Sequence, residues 1–396
     1  MEKPLTLEPR PGERSERRPR STPAPRGGLP LARPFGIEIR IDTSWLVIAF
    51  LIVFSLGHQF LRLFPGRPAW NAWLGALATG LLFFLSILLH EMSHSLVARG
   101  LGMTVQGITL FVFGGISRIR GEPERPRDEF WMAIVGPLTS ALLGALFLLA
   151  GRALPDGSLA QVAAGWLGVI NFLLAGFNLL PGYPLDGGRV FRAGVWLLTR
   201  DLRKATRGAA FLGMAIGGGL IVWGAFLVFA TPNLLSGLWL GLIGWFLISA
   251  AQRSVQSLEI RELLRRYRAR DAMRPPCPRA RPDETIQRFV EEKVLGTGQR
   301  CFLVTDGEAL LGLATLHELR SVPREAWSRT TLAEVMVPVD RVEKVAPAEP
   351  LARVLERMEE RGVNQLPVVE AGTLQGLVTR EDVLRILATD LELTAS

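Results

Sequence analysis

The sequence predicts an α-helical polytopic membrane domain, with six transmembrane helices and short interfacial or active-site strands, followed by a cytoplasmic tandem α/β domain. Two observations favour this fold class. The 396 residues are 48% hydrophobic, and six stretches are long and apolar enough, or nearly so, to cross a hydrocarbon core: residues 44–60, 73–97, 130–150, 162–180, 209–230 and 234–251. After residue 251 the sequence becomes charged and contains an internal repeat.

The arginines mark one side of the membrane. The formal net charge is +8, and arginines are concentrated in the N-terminal tail and in residues 99–127, 189–207 and 253–270. The loops between these segments contain few basic residues, so the positive-inside rule places both termini in the cytoplasm. Because the arginines flank spans and do not form one patch with interleaved aromatic residues, the pattern disfavours nucleic-acid binding.

Composition also divides the chain into segments. Residues 1–35, rich in Arg, Pro and Ser, are expected to form a disordered cytoplasmic tail and not a signal peptide. A membrane domain, a helical connector and two similar modules follow, with the bounds 36–252, 253–268, 269–325 and 330–390. The two cysteines, Cys277 and Cys301, both fall in the C-terminal region, and no disulfide framework is implied.

The second apolar stretch contains the sequence His90-Glu91-Met92-Ser93-His94 inside an otherwise hydrophobic helix. Residues four apart on a helix lie one turn apart on the same face, so both imidazoles can reach one metal ion. Glu91 then projects beside the metal, towards a bound water. Polar groups at bilayer depth are costly unless they have a function, and the pattern predicts a zinc site within the membrane.

A carboxylate at the end of the fourth span is a candidate third ligand. Asp186 is surrounded by Pro and Gly residues, so a turn or helix-end role is the alternative. The fourth span and the helix of the histidine pair both run towards the cytoplasm, which brings Asp186 and His94 to the same side. A catalytic zinc site needs three protein ligands and an open position. The remaining histidines, His58 and His317, have no such partners in sequence and are interpreted as an external-loop and a soluble-domain residue.

Two segments of the membrane domain predict β-strands. Residues 36–41 alternate apolar and polar side chains, which favours a short interfacial strand. Residues 105–119 are β-branched, aromatic and interrupted by Gly114 and Gly115. Since extended backbone is tolerated at membrane depth only where its polar groups are satisfied, this strand is expected to line the active-site cavity. Its edge could pair with an unwound substrate segment; the alternative is a plain amphipathic connector.

These motifs resemble those of the site-2 proteases, which are intramembrane zinc metalloproteases, in their bacterial and archaeal six-span type. The resemblance covers residues 36–253. It is carried by the His-Glu-x-x-His motif, the Phe-Gly-Gly sequence of residues 113–115, Gly136-Pro137 near the start of the third span, and residues 178–188 with their Leu185-Asp186-Gly187 core.

The resemblance implies an activity and a set of site residues. One zinc ion per chain would be held by His90, His94 and Asp186. Glu91 would be the general base, and Asn178 would help to hold the substrate or the oxyanion. The candidate substrate-binding residues of the strand are Phe113, Gly114 and Gly115. The implied substrate is a transmembrane protein, and the implied location is a prokaryotic cell membrane.

The chemistry expected of such residues agrees with the resemblance. Zinc lowers the pKa of a bound water towards about 7, a glutamate accepts the proton, and the same glutamate can protonate the leaving amine. A transmembrane helix keeps its amides in internal hydrogen bonds, so the substrate must unwind locally before attack.

The C-terminal repeat resembles a tandem pair of CBS modules. Residues 269–273 recur as 332–336, at an interval of about 64 residues. Such pairs commonly sense adenine nucleotides, and Thr379 and Asp382 fit the family's ribose- and phosphate-binding pattern. The first module has Glu318 where that pattern expects Asp. The alternative is that the pair only forms a homodimer, because Thr-x-x-Asp is also a common helix cap.

Together these features predict an intramembrane zinc endopeptidase that is modulated by a cytoplasmic CBS pair and acts in regulated intramembrane proteolysis. One alternative is a CBS-regulated transporter or channel with a structural metal site, since intramembrane polar residues suit a transporter as well. Another is an inactive scaffold for membrane partners. The histidine pair together with Glu91 and Asp186 favours the enzyme.

Overall fold

A computed structural model describes residues 28–394, except residues 113, 122, 232, 233, 276, 298, 300, 308 and 372. The described residues form two compact units that divide between Ser257 and Leu258. Of the tail expected at residues 1–35, residues 1–27 lie outside the described part. Within the remainder, Leu29–Ala32 forms a strand, so the expectation of disorder is wrong for these residues.

Six helices of the described chain are long and apolar enough to cross a membrane, with mean hydropathies of 1.6 to 2.2 over 18 residues. They are α1 (Thr43–Leu63), α2 (Ala69–Gly100), α3 (Pro126–Arg152), α4 (Leu159–Asn178), α6 (Leu202–Ala230) and α7 (Leu234–Arg266). A shorter helix, α5 (Asp186–Thr199), lies between α4 and α6 in the chain. The six predicted spans are thereby confirmed, while α5 was not predicted.

Side-chain caps stabilise the starts of two of these helices, and glycines allow a pair of them to pack closely. Asp42 and Asp201 accept hydrogen bonds from the first-turn amides of α1 and α6, which satisfies donors that a helix start leaves open. Helices α6 and α7 approach closely where Gly217 faces Gly244. A Cβ atom on Gly217 would lie 2.7 Å from the Gly244 carbonyl oxygen, so only small residues permit this contact.

The strands of the membrane unit form one sheet in the order β1-β2-β3-β4, with β1 and β2 antiparallel, β2 and β3 parallel, and β3 and β4 antiparallel. Their bounds are Leu29–Ala32, Glu38–Ile41, Thr104–Phe111 and Gly114–Arg120. Strand β2 confirms the strand predicted within residues 36–41. The single strand expected at 105–119 is wrong: the chain reverses before Gly114, whose φ of 129° suits glycine, and forms a hairpin.

The sheet is packed against the helix that contains the histidine pair. Ile39 of β2 and Ile108 and Leu110 of β3 are buried in one cluster with Met92 of α2. Among the described residues, β4 is one of the two edge strands of this sheet, and it lies beside α2. This packing places an open strand edge next to the helix face that includes Glu91.

The C-terminal unit contains two similar halves, each built from α-helices and β-strands. In chain order its elements are α8 (Ala269–Ala272), β5 (Arg279–Ala280), α9 (Ile286–Phe289), α10 (Leu295–Thr297), β6 (Cys301–Asp306), β7 (Ala309–Thr315), α11 (Leu316–Leu319), α12 (Leu332–Val335), β8 (Val337–Pro338), α13 (Leu351–Arg361), β9 (Gln365–Glu370), β10 (Thr373–Thr379) and α14 (Arg380–Thr394).

The two halves exchange their opening segments. Ala269 and Ala272 of α8, which begin the first repeat, are buried in a core with Val368 and Val378 of the second repeat. Conversely, Leu332 of α12 belongs to the core of the first repeat. Each module is therefore completed by residues that the sequence repeat assigns to the other.

Candidate metal centre

Helix α2 places the two histidines of the motif on one buried face. His90 and His94 are only 4% and 5% exposed, and their Nε2 atoms lie 3.2 Å apart. The four-residue spacing of a helix accounts for this arrangement, because it stacks the two side chains one turn apart.

Asp186 completes a triangle of donor atoms. It stands in the first turn of α5, and its Oδ2 lies 3.2 Å from Nε2 of His90 and 3.2 Å from Nε2 of His94. A tetrahedral zinc ion with bonds of about 2.0–2.1 Å separates its ligand atoms by about 3.3–3.4 Å. Two imidazoles and a carboxylate at this spacing therefore fit a zinc ion.

Helix α3 provides a hydrogen-bond partner for the Nδ1 atom of each imidazole, whereas Asp186 faces the Nε2 atoms. Nδ1 of His94 lies 2.6 Å from the carbonyl oxygen of Met132, and Nδ1 of His90 lies 2.9 Å from Oγ of Ser140. A carbonyl oxygen can only accept, so Nδ1 of His94 carries a proton, and in the neutral imidazole Nε2 keeps a lone pair for a metal ion. Partners of this kind fix the tautomer and ring orientation of metal-binding histidines. Sequence reasoning did not find Met132 or Ser140.

Gly136 allows α3 to approach the imidazoles. A Cβ atom at this position would lie 2.2 Å from Nε2 of His94 and 2.7 Å from Nε2 of His90. Neither ring can move aside, since each is held by a partner on α3. The glycine of the Gly136-Pro137 pair is thus required by close packing at the cluster.

The segment before α5 is folded tightly around glycines. A Cβ atom on Gly187 would lie 2.2 Å from the carbonyl oxygen of Leu179, and one on Gly188 would lie 2.3 Å from the carbonyl carbon of Gly182. The backbone amide of Tyr183 donates to the carbonyl of Ala209 on α6 at 3.0 Å. These contacts fix the chain on both sides of the Asp186 backbone.

Strand β4 contacts the carboxylate of Glu91. Ser117 of β4 donates from Oγ to Oε2 of Glu91 at 2.8 Å, and Ser95 donates to Ser117 at 3.1 Å. A Cβ atom on Gly115 would lie 2.5 Å from Cγ of Glu91. The edge strand and the glutamate are thus in direct contact, and Ser117 is a site residue that sequence reasoning missed.

The remaining residues of the membrane unit that the sequence singled out are not part of the donor triangle. Asn178, the last residue of α4, donates from Nδ2 to the carbonyl of Leu174 in its own helix. Phe113 lies outside the described residues, whereas Gly114 begins β4. His58 lies within α1 and faces the Phe54 carbonyl, so its interpretation as a loop residue is wrong.

In the C-terminal unit, Thr379 and Asp382 form a reciprocal cap at the start of α14. The Thr379 amide and hydroxyl donate to Oδ2 of Asp382 at 3.1 and 2.6 Å, and the Asp382 amide donates to the Thr379 hydroxyl. Oδ1 of the fully buried Asp382 accepts from Arg274 and Arg385. Both oxygens of Asp382 are therefore engaged within the chain. In the first module Thr315 likewise donates to Glu318.

Comparison with known proteins gives two family matches. The model of peptidase family M50 matches residues 78–161 and 156–220, and the model of the CBS domain matches residues 332–389. A protein described as "Putative zinc metalloprotease Rip3" from Mycobacterium tuberculosis is 35% identical over 369 residues, which are 91% of this chain and 93% of that protein. A protein described as "Putative zinc metalloprotease sll0528" from Synechocystis is 33% identical over 360 residues, which are 90% of this chain and 94% of that protein.

Among solved structures, the site-2 protease from Methanocaldococcus jannaschii is 25% identical and aligns with a TM-score of 0.42. The alignment covers 58% of this chain and 95% of that one.

Proposed function

The chain belongs to the site-2 protease family of zinc metalloproteases, peptidase family M50, and from this premise we propose that it is an intramembrane endopeptidase. It hydrolyses a peptide bond in or near a transmembrane segment of a membrane-bound substrate, in regulated intramembrane proteolysis. The observation that carries the proposal is the triangle of His90, His94 and Asp186 donors, with Glu91 on the same helix. Membership in a protease family overturns the alternative of a transporter or channel.

His90, His94 and Asp186 hold the zinc ion, one per chain. When bound, zinc supplies a Lewis acid that polarises a carbonyl and activates water near neutral pH. The three protein ligands leave one position open for chemistry, as catalytic zinc sites require. The chemistry of the donor set and its 3.2 Å spacing support this assignment.

Glu91 acts as general base and then as general acid. Ser117 donates a hydrogen bond to Oε2 of the carboxylate, which restrains rotation of the group. Oε1 then accepts a proton from water and returns it to the leaving amine. A carboxylate held by a neighbouring hydroxyl needs little reorganisation during this transfer, which is the advantage of a preorganised site.

The substrate binds as an added strand on β4. An unwound transmembrane segment has lost the internal hydrogen bonds of its backbone, and within the bilayer it needs replacement partners. The edge of β4 offers a row of backbone groups next to Glu91, and strand addition is a common mode of peptide recognition. Gly114 and Gly115 begin this edge. Together with Phe113 they are the proposed substrate-binding residues, and Asn178 helps to hold the substrate or the oxyanion.

The protein lies in a prokaryotic cell membrane with both termini in the cytoplasm. The arginine-rich segments alternate with arginine-poor loops along the six spans, and the positive-inside rule supports this orientation. The His90–His94 motif then lies in the cytoplasmic half of α2, a few residues before Arg99. Water for hydrolysis enters from the cytoplasm.

The CBS pair modulates the protease by binding an adenine nucleotide or by forming a homodimer. At the Thr379–Asp382 site, a nucleotide competes with Arg274 and Arg385 for Asp382, because both arginines donate to its Oδ1. Displacement of Arg274, which belongs to the first repeat, would change a contact between the two repeats. Calorimetric titration of the full-length protein with ATP, ADP and AMP tests the nucleotide. No heat at millimolar concentration leaves homodimer formation as the proposed role.

The exchange of Glu91 for Gln tests the proposed catalytic role. The Glu91→Gln variant keeps the side-chain size and should retain zinc, while cleavage of a model transmembrane substrate in liposomes falls by orders of magnitude. His58→Ala is the matched control, since His58 lies on α1 and contacts the Phe54 carbonyl. Cleavage by Glu91→Gln at the wild-type rate would refute the proposed mechanism.

A further inference from the structure

The zinc ligands come from two helices that are joined through a third. Helix α2 carries the histidine pair, α5 carries Asp186, and both pack against α3. Hydrogen bonds between α2 and α3 join His94 to Met132 and His90 to Ser140. Among the described residues, the two imidazole Nε2 atoms, each 3.2 Å from Oδ2, are the only polar atoms within hydrogen-bonding distance of the Asp186 carboxylate. Its position therefore depends on how α5 docks on α3.

A buried ion pair joins α3 to α5 beside the cluster. Glu129, one turn before Met132 on α3, is fully buried, and its Oε1 accepts from Nε of Arg192 at 2.6 Å and also from Nη2. Arg192 is itself 7% exposed. Arg189 of the same helix approaches Oε1 of Glu129 to 3.8 Å. The spacing of three residues places Asp186, Arg189 and Arg192 along one side of α5.

The same arginine also contacts the segment that precedes Asp186. The guanidinium carbon of Arg192 lies 5.4 Å from the centre of the Tyr183 ring, a cation–π contact. Arg192 thus touches both α3 and the loop before α5. A buried carboxylate that loses its partner is strongly unfavourable, so the pair permits little sliding or rotation of α5 on α3.

We propose that the Glu129–Arg192 pair is the positioning device that holds Asp186 against the histidine pair. Neither residue is assigned as a metal ligand or a catalytic residue, because Glu129 and Arg192 pair with each other and the donor triangle is formed by other residues. The pair acts through α5, and it rests on the proposed zinc site. Loss of the pair lets α5 shift, and the carboxylate of Asp186 leaves the triangle while the imidazoles stay in place.

Metal titration of the full-length protein in detergent tests this role without any substrate. Zinc affinity is measured by competition with a chromophoric chelator, and the absorption spectrum of Co²⁺ reports the number of ligands. Glu129→Gln should weaken zinc binding by about 10–100-fold, as loss of supporting residues typically does. Its Co²⁺ spectrum should resemble that of Asp186→Ala. Glu38→Gln is the matched control, because Glu38 forms an ion pair with Arg40 on strand β2, and its zinc affinity should not change.

Two further variants separate positioning from a general loss of structure. Arg192→Lys keeps the charge but has one nitrogen in place of the two, Nε and Nη2, that donate to Oε1 of Glu129. It should show the same spectral change with a smaller loss of zinc affinity. The exchanged pair, Glu129→Arg with Arg192→Glu, should recover part of the affinity. Wild-type affinity and spectrum in folded Glu129→Gln or Arg192→Lys would overturn the positioning role alone. Failure of the wild-type protein to bind zinc would overturn the metal site as well.

Discussion

The hydroxyl of Ser117 donates a hydrogen bond to Oε2 of Glu91 across 2.8 Å, which joins the edge strand β4 to the helix of the histidine pair. The two residues are 26 positions apart in sequence. This bond leaves Oε1 as the oxygen available for proton transfer. It also means that a substrate strand paired with β4 lies close to the proposed base.

Removal of this hydroxyl should lower activity without removing metal. Ser117→Ala frees the carboxylate to rotate, and we expect a loss of roughly 10-fold in the rate of cleavage, about the 1.4 kcal/mol of one hydrogen bond to a charged group. Cleavage of a model substrate and metal analysis of the same sample are the measurements. Ser93→Ala is the control, because the Ser93 hydroxyl donates to the His90 carbonyl of its own helix. An unchanged rate in Ser117→Ala would remove Ser117 from the site.

The three proposed ligands should each be needed for zinc. The purified protein is expected to contain about one zinc ion per chain, and His90→Ala, His94→Ala and Asp186→Ala should each lose most of it. Metal content is measured by mass spectrometry after dialysis, with His58→Ala as the control. Full zinc content in Asp186→Ala would exclude that residue as a ligand.

Gly136→Ala should damage the site through packing alone. The new Cβ atom would lie 2.2 Å from Nε2 of His94, which is far inside van der Waals contact, so an imidazole must leave its place. We expect zinc content to fall and the unfolding temperature to drop. Gly176→Ala on α4 is the matched control, since no atom lies within 4 Å of the position of its Cβ. Equal behaviour of the two variants would contradict the close approach of α3.

The capping box of α14 should make Asp382 important for stability. Asp382→Ala removes the acceptor of Thr379, Arg274 and Arg385, and should lower the free energy of unfolding of the C-terminal unit by about 1–3 kcal/mol. Hydrogen exchange of β10 and α14 in the full-length protein measures the change. Glu381→Ala, one residue earlier and exposed, should have little effect. Faster exchange in both variants alike would argue against a specific role of Asp382.

Cys301 should resist alkylation. Its hydrogen bond with Cys277 and its burial raise the pKa of the Cys301 thiol above the ordinary value. A thiol with a raised pKa contains less thiolate at pH 8, and the thiolate is the reactive form. We expect iodoacetamide to modify the partly exposed Cys277 first, and both cysteines in denaturant, as read by peptide mass spectrometry. Rapid labelling of native Cys301 would contradict the structure around this thiol.

Much of the membrane unit could be predicted because its features are local. The six spans follow from the length and apolar character of continuous stretches, and strand β2 follows from alternation. Strand β1 was missed because Leu29–Ala32 lies in an Arg- and Pro-rich stretch and is extended through its pairing with β2. The β3–β4 hairpin was missed because the two glycines at its turn were interpreted as interruptions of one strand.

The C-terminal unit shows the limit of reasoning from a repeat. The interval of about 64 residues identified two modules. It did not show that α8, at the start of the first repeat, is buried in the core of the second, or that α12, at the start of the second repeat, is buried in the core of the first. Likewise, Thr379 and Asp382 fit a nucleotide-binding pattern in sequence. Only the structure places Arg274, 108 residues away, on the same carboxylate.

The sequence by itself determined that His90 and His94 share one helix face with Glu91 nearby, because helical periodicity depends only on residues within one turn. It also supplied Asp186 as a candidate ligand. The tertiary structure alone decided that Oδ2 of Asp186 lies 3.2 Å from both imidazoles. It also decided that Glu129 and Arg192 join the helices that carry them. The reason is that contacts between residues 63 to 96 positions apart depend on how whole helices pack, and no local pattern encodes that packing.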